Sequence, residues 1–196
     1  MHATHWALLR ALVNEGPNDL FIAEDSHQRI YGRPVALSRL GVKIVGRARR
    51  LTLGYRTTAQ NLNFAVGILA GAEYKDLETG TESTAEYRSA RSGPIPKMVE
   101  CTNQSDELDQ VAQHVYEWIE DGIVPETIAV LTRSHDDRLR FVDALEERSV
   151  ETRALDNNPQ LLDTCRRSLL YVAASRARDE SIVTWSGQRS ELLGKI

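Results

Sequence analysis

KMVECTNQSDELDQVAQHVYEWIEDGIVPETIAVLT, residues 97–132, reads as strand, helix and strand in succession. Lys97 to Cys101 is short and apolar enough for a strand. From Asp106 to Glu120, the side chains Leu108, Val111, Ala112, Val115, Trp118 and Ile119 recur at the spacing of one helical face. Gly122 ends that helix. Thr127 to Thr132 is apolar throughout, the pattern of a central strand covered on both faces. The alternation continues downstream. Ser134 and Asp137 have the spacing of a capping box and open a helix to Arg148. Val150 to Leu155 reads as a strand, Leu161 to Arg178 roughly as a helix, and Ser181 to Trp185 as a closing strand. Strands and helices in turn predict an α/β fold with a mainly parallel sheet.

Upstream, His5 to Asn14 has Trp6, Leu9, Leu12 and Val13 on one side of a short helix, and Asp19 to Ala23 is an apolar strand. Residues 33–48 are punctuated by Pro34, Gly41 and Gly46 and read as irregular. Arg50 to Leu53 is a short strand. A helix follows it, opened by Thr57-Thr58-Ala59-Gln60, in which Thr57 and Gln60 stand at capping-box spacing. Its residues Leu62, Ala65, Val66 and Leu69 face inward. Residues 71–96 are polar and rich in Gly, Ser and Thr, so a mobile surface loop or hairpin is expected there. A boundary near residue 53 divides the chain into 1–53 and 54–196.

No apolar run approaches the roughly 20 residues of a membrane span. The N-terminus lacks a basic region followed by an apolar one, which points away from secretion. Cys101 and Cys165 lie far apart without a C-x-x-C pair and read as reduced structural thiols of a cytoplasmic protein. No metal site is assigned. The net charge of −4 disguises a segregated distribution. Arg29 to Arg56 holds Arg29, Arg33, Arg39, Lys43, Arg47, Arg49, Arg50 and Arg56 with no acidic residue. A stripe of this kind suits a phosphate backbone. A solvated basic face is the plainer alternative.

Three stretches carry the chemistry. The first, Glu24-Asp25-Ser26-His27-Gln28-Arg29-Ile30-Tyr31-Gly32-Arg33-Pro34, leaves the end of the expected strand at 19–23, where parallel sheets bind ligands. Asp25 and Gln28 are so placed, and an amide such as Gln28 can both donate and accept. The second is Leu53-Gly54-Tyr55-Arg56-Thr57, which projects Tyr55 and Arg56 from a corner between strand and capped helix. The third, Tyr171-Val172-Ala173-Ala174-Ser175-Arg176-Ala177-Arg178, ends a helix in arginines. Dipole compensation would explain such an end on its own.

Together and in this order, the three stretches resemble conserved motifs of the UvrD/Rep/PcrA-type superfamily 1 DNA helicases. Glu24 stands where the family has Gly, Gly54 where it has Asn, Ser175 where it has Thr, and Arg33 where close relatives often have Trp. The resemblance implies that Tyr55 stacks on adenine, that Arg56 and Arg176 reach the γ-phosphate, and that Gln28 couples nucleotide state to DNA. It makes Tyr31 a base-stacking residue, with Arg29 and Arg33 on the nucleic acid. Stacking of that kind is worth about 1–3 kcal/mol per base.

The implied fold is a RecA-like, P-loop NTPase-type parallel sheet with flanking helices, incomplete, over 54–196, preceded in 1–53 by a remnant of another RecA-like domain. The implied activity is ATP-dependent 3′–5′ translocation on single-stranded DNA, with Mg-ATP as cofactor in an intact parent protein. The chain contains no G-x-x-x-x-G-K-[ST] loop to cradle phosphates. The family's Asp-Glu-x-Gln box is expected ahead of His2. Its Thr-x-His-x-x-Lys-Gly-Leu-Glu segment has no counterpart in residues 156–168. The chain is therefore expected to hydrolyse no ATP alone and to need an N-terminal helicase domain as partner. A non-catalytic module that binds nucleic acid or a protein is the rival reading. A remnant without function is the third, and it would leave Leu20, Phe21 and Ile22 exposed.

Overall fold

The structure, a computed structural model, describes residues 3–29, 35–77, 80–155 and 166–194. Its elements in order are α1 (Ala3–Ala11), β1 (Leu53–Gly54), α2 (Ala59–Ile68), β2 (Tyr74–Lys75), β3 (Thr81–Glu82), β4 (Arg88–Ser89), β5 (Lys97–Cys101), α3 (Gln104–Glu120), α4 (His135–Glu146), α5 (Arg166–Arg176) and β6 (Ile182–Ser186). The fold is mixed α/β. Among the described residues the strands form three two-stranded sheets: β1 with β4 and β5 with β6, both parallel, and the antiparallel hairpin β2–β3.

Two compact units are interleaved along the chain. The first takes residues 1–95, 161–180 and 194–196, and the second takes 96–160 and 181–193. Residue 53, the expected boundary, lies inside the first unit, where Leu53 is in register with Arg88.

In the first unit the core is formed by α2 against α5. Ala65, Ile68 and Leu69 bury against Tyr171, with Phe64, Leu170, Val172 and Ala174 around them. Arg167 donates to the carbonyls of Ile68 (2.8 Å) and Ala70, where α2 ends and its last acceptors lack helical partners. The cap of α2 falls one residue later than the spacing suggests. The Thr58 hydroxyl accepts from the amide of Asn61. Thr57 and Gln60 are engaged elsewhere: the Thr57 hydroxyl donates to Ala177 O at 2.6 Å, and Gln60 Oε1 accepts from the Gly93 amide at 3.0 Å.

The second unit is built on β5 and β6, in register from Lys97↔Ile182 to Cys101↔Ser186. α3 begins two residues before its expected start, capped by Asn103, whose side chain accepts from the amide of Asp106 at 3.0 Å. The Asp106 carboxylate in return accepts from the amide and hydroxyl of Thr102. α3 ends at Glu120, and Gly122 just beyond its cap has a φ of +87°, the left-handed conformation that glycine adopts without strain. Glu107 binds α3 to β6 by accepting from the hydroxyls of Thr184 (2.9 Å) and Ser186 (2.8 Å). Ala112, Val115 and Leu145 form the core between α3 and α4.

Three expected strands are absent. Asp19–Ala23, Thr127–Thr132 and Val150–Leu155 have no ladder partner among the described residues and are irregular apart from a 3₁₀ turn at Pro125–Thr127. Around residue 130 burial still alternates: Ile128 and Val130 pack on the core while Ala129 and Leu131 face water. The apolar pattern thus recorded packing, and no hydrogen-bonded neighbour stands beside it among the described residues. At the N-terminus, the Asp19 carboxylate takes Arg10 and the amide of Gly16. Phe21 is 96% exposed, whereas Leu20 and Ile22 are half-buried. Helix α5 is seen from Arg166, and the part expected over 161–165 lies outside the described residues.

The Ser134 cap of α4 is the expected one: its hydroxyl donates to the Asp137 carboxylate at 2.6 Å and accepts from the Asp137 amide at 3.1 Å. Ser134→Ala should lower stability by about 1 kcal/mol and Ser134→Asp should retain most of it. Urea unfolding followed through Trp118 and Trp185 fluorescence, both in this unit, measures the difference.

Candidate anion-binding site

The first unit gathers two of the three motif stretches around one opening. Tyr55 and Arg56 occupy the corner between β1 and the cap of α2, while Arg176 closes α5 and Arg178 follows it. Tyr55, Arg56, Arg176 and Arg178 line one open depression of about 670 Å³. Tyr55 is 70% exposed, leaving its ring available to a planar group.

The side chains of Arg56 and Arg176 make no hydrogen bond or ion pair among the described residues. Arg178 Nε lies 3.6 Å from the Asp179 carboxylate, but both partners are well exposed, so the pair is worth little. Three guanidiniums therefore face one opening. Each is permanently charged and forked, which suits the oxygens of a phosphate chain.

Two corners hold this geometry. The Thr57 hydroxyl reaches Ala177 O, and the Ser89 hydroxyl donates to Thr57 O at 2.6 Å. Arg91 donates to Arg56 O at 2.7 Å and to Arg178 O at 3.4 Å, and also pairs with Asp179. Thr57 is 7% exposed and Thr58 1%. The exposed arginine ends thus project from hydrogen-bonded corners, one of them anchored by the buried Thr57 and Thr58.

Gln28 does not line the depression. It ends a 3₁₀ turn, Ser26–Gln28, capped by Asp25, and its amide donates to Asp25 Oδ2 at 2.8 Å. The turn packs against α5 through His27, a residue 1% exposed with Tyr74, Tyr87 and Tyr171 at ring distances of 4.9, 5.8 and 5.9 Å. Arg29 is turned inward: its guanidinium pairs with Glu24 and donates to Lys75 O at 3.1 Å. Tyr31 and Arg33 lie outside the described residues. Arg39, Lys43, Arg47, Arg49 and Arg50 are exposed, with Lys43 paired to Glu15.

Sequence reasoning missed His27 as a core residue and missed Arg91 and Ser89 entirely. A polar stretch at 71–96 gave no local sign that it would bond both motif corners. Among the described residues no group of three or more His, Cys, Asp or Glu is arranged to hold a metal ion. No described helix is long and apolar enough to cross a membrane. No protein-family model matches the chain, and comparison with curated proteins finds no relative.

Two groups near the 3₁₀ turn are displaced in their titration. Burial, the largest influence on Asp25, pushes its carboxyl up, but the His27 ring 3.5 Å away and hydrogen bonds from the His27 and Gln28 amides together hold it below its ordinary value. Burial, with Asp25 as a lesser cause, pushes the Tyr171 hydroxyl well above the usual phenol range. A depressed carboxyl contributes stability above its unfolded pKa, about 3.9, and loses it as pH falls through the lower folded value. Asp25→Asn should therefore flatten the fall of Tm below about pH 4. Thermal melts of both proteins across that range provide the comparison.

Proposed function

We propose that this chain is part of an ATP-dependent 3′–5′ DNA helicase or translocase of the UvrD/Rep type, supplying second-domain ATP contacts and contacts to single-stranded DNA. The observation that carries the proposal is the meeting of Tyr55-Arg56 with Arg176 and Arg178 around one depression, although the two stretches lie far apart in sequence. The parallel pairs β1–β4 and β5–β6 accord with an α/β class for residues 54–196, and its RecA-like form is part of the proposal.

The residues present fit a nucleoside triphosphate. Tyr55 offers a face to the base, and Arg56 and Arg176 offer donors to the phosphates, with Arg178 at the rim. No carboxylate is among the four lining residues, so the Mg²⁺ ligands would come from elsewhere in the motor. ATP supplies the phosphoanhydride whose hydrolysis drives translocation. The arginines of this chain hold the phosphates and offset charge during transfer, a role worth about 10³–10⁵ in turnover in other nucleotide hydrolases. Gln28, bonded to Asp25 beside α5, is positioned to report on that helix more than to touch a phosphate.

The acid-free basic stretch from Arg29 to Arg56 favours a second reading, a non-catalytic module that binds nucleic acid. Fluorescence titration of the pure chain with an ATP analogue separates the two. Under the motor reading the analogue binds, and Arg56→Ala or Arg176→Ala weakens it about 10- to 100-fold, the worth of a charge-assisted hydrogen bond of about 1.5–3 kcal/mol. No ATP turnover is expected with or without single-stranded DNA, and stimulated turnover lost on Arg56→Ala would refute that expectation. Binding of labelled oligonucleotide with a log–log salt slope near −0.7 per neutralised phosphate, but no nucleotide binding, would favour the module.

A further inference from the structure

We infer that Arg91 is a positioning residue that fixes the spacing between the two arginine-bearing corners of the depression. This inference rests on the anion-binding reading of that site. Arg91 does not line the depression, yet its guanidinium touches the backbone of residues that do. One nitrogen donates to Arg56 O at 2.7 Å and to Arg178 O at 3.4 Å. The other pairs with the carboxylate of Asp179, which also lies 3.6 Å from Arg178 Nε.

The main chain around Arg91 has the same office. Arg91 O accepts from the Ala59 amide at 2.8 Å, at the start of α2. The Arg91 amide donates to the Ser89 hydroxyl at 3.0 Å, which itself donates to Thr57 O. Gly93 lets the segment lie close to both corners. A Cβ there would stand 2.6 Å from Thr58 Cγ2 and 3.0 Å from Asp179 O. Residues 89–93 thus bond or touch one corner at Arg56, Thr57, Thr58 and Ala59 and the other at Arg178 and Asp179.

The residue type matters for a physical reason. Arg56, Arg176 and Arg178 repel one another, so an unbraced site would relax by moving its corners apart and would have to be drawn together again by each anion. A rigid fork can hold two carbonyls and a carboxylate at once, whereas an ammonium is a single point of charge on a flexible stem. Bracing the site before binding spares the anion that reorganisation.

The test is calorimetric titration of the full chain with inorganic tripolyphosphate, beside peptide-resolved amide exchange over 56–59 and 177–179. Arg91→Ala and Arg91→Lys should each weaken binding about tenfold and hasten exchange at both corners. Arg91→Lys keeps the charge and is the variant to rely on if the alanine protein folds poorly. Wild-type affinity in Arg91→Lys would show that charge alone matters and overturn the inference. So would tripolyphosphate binding that is lost in Arg56→Ala but unchanged in both Arg91 variants. A wild-type chain that binds no tripolyphosphate would instead sink the reading of the depression itself, and the positioning role with it.

Discussion

The hydroxyl of Thr57 donates to the carbonyl of Ala177 at 2.6 Å, and the first unit is organised around that bond. It joins the start of α2 to the end of α5, so the two helices share one fixed terminus as well as an apolar face. Tyr171 against Ala65, Ile68 and Leu69 supplies burial along the helices. Arg167 at the far end of α2 occupies carbonyls that would otherwise need water. Burial alone is non-directional and would allow the helices to slide. Directional bonds at both ends of α2 set the register, and the register sets where Arg56 and Arg176 emerge.

The depression is consequently a product of opposed demands. Its three guanidiniums would separate if only their mutual repulsion acted. Part-buried hydroxyl bonds of Thr57 and Ser89 and the Arg91 bonds beneath them oppose that tendency, while the charged ends stay in water where repulsion is screened. A protein with net charge −4 can therefore carry a strongly positive local field. Local geometry, more than total charge, decides which ligand sign such a surface prefers.

What was legible in the sequence is what depends on neighbours in sequence. β5, α3 and α4 are found within about two residues of their expected bounds, because helical periodicity, the Ser134 cap and Gly122 act over a single turn. The unformed strands at 19–23, 127–132 and 150–155 failed for the complementary reason. Apolar residues make a segment willing to be buried, but a strand also needs a ladder partner that its own residues do not specify. At α2 the expected cap was displaced because Thr57 and Gln60 had distant partners, Ala177 and Gly93. The candidate site follows the same rule. Tyr55, Arg56 and Arg176 could be picked out by motif, and Arg91 could not, since its partners at Arg56 and Asp179 lie far from it along the chain.

The interleaving of the two units has a consequence for how the protein is made. Residues 96–160 belong to the second unit and separate α2, ending at Ile68, from α5, beginning at Arg166. At a synthesis rate of about 5–20 residues per second, α5 leaves the ribosome roughly 5–20 s after α2. Throughout that interval Ala65, Ile68 and Leu69 have no Tyr171 to cover them. The second unit also depends on a late arrival, because β6 follows α5. Neither unit can finish folding before α5 and β6 have emerged, and the nascent chain carries the uncovered apolar face of α2 until then.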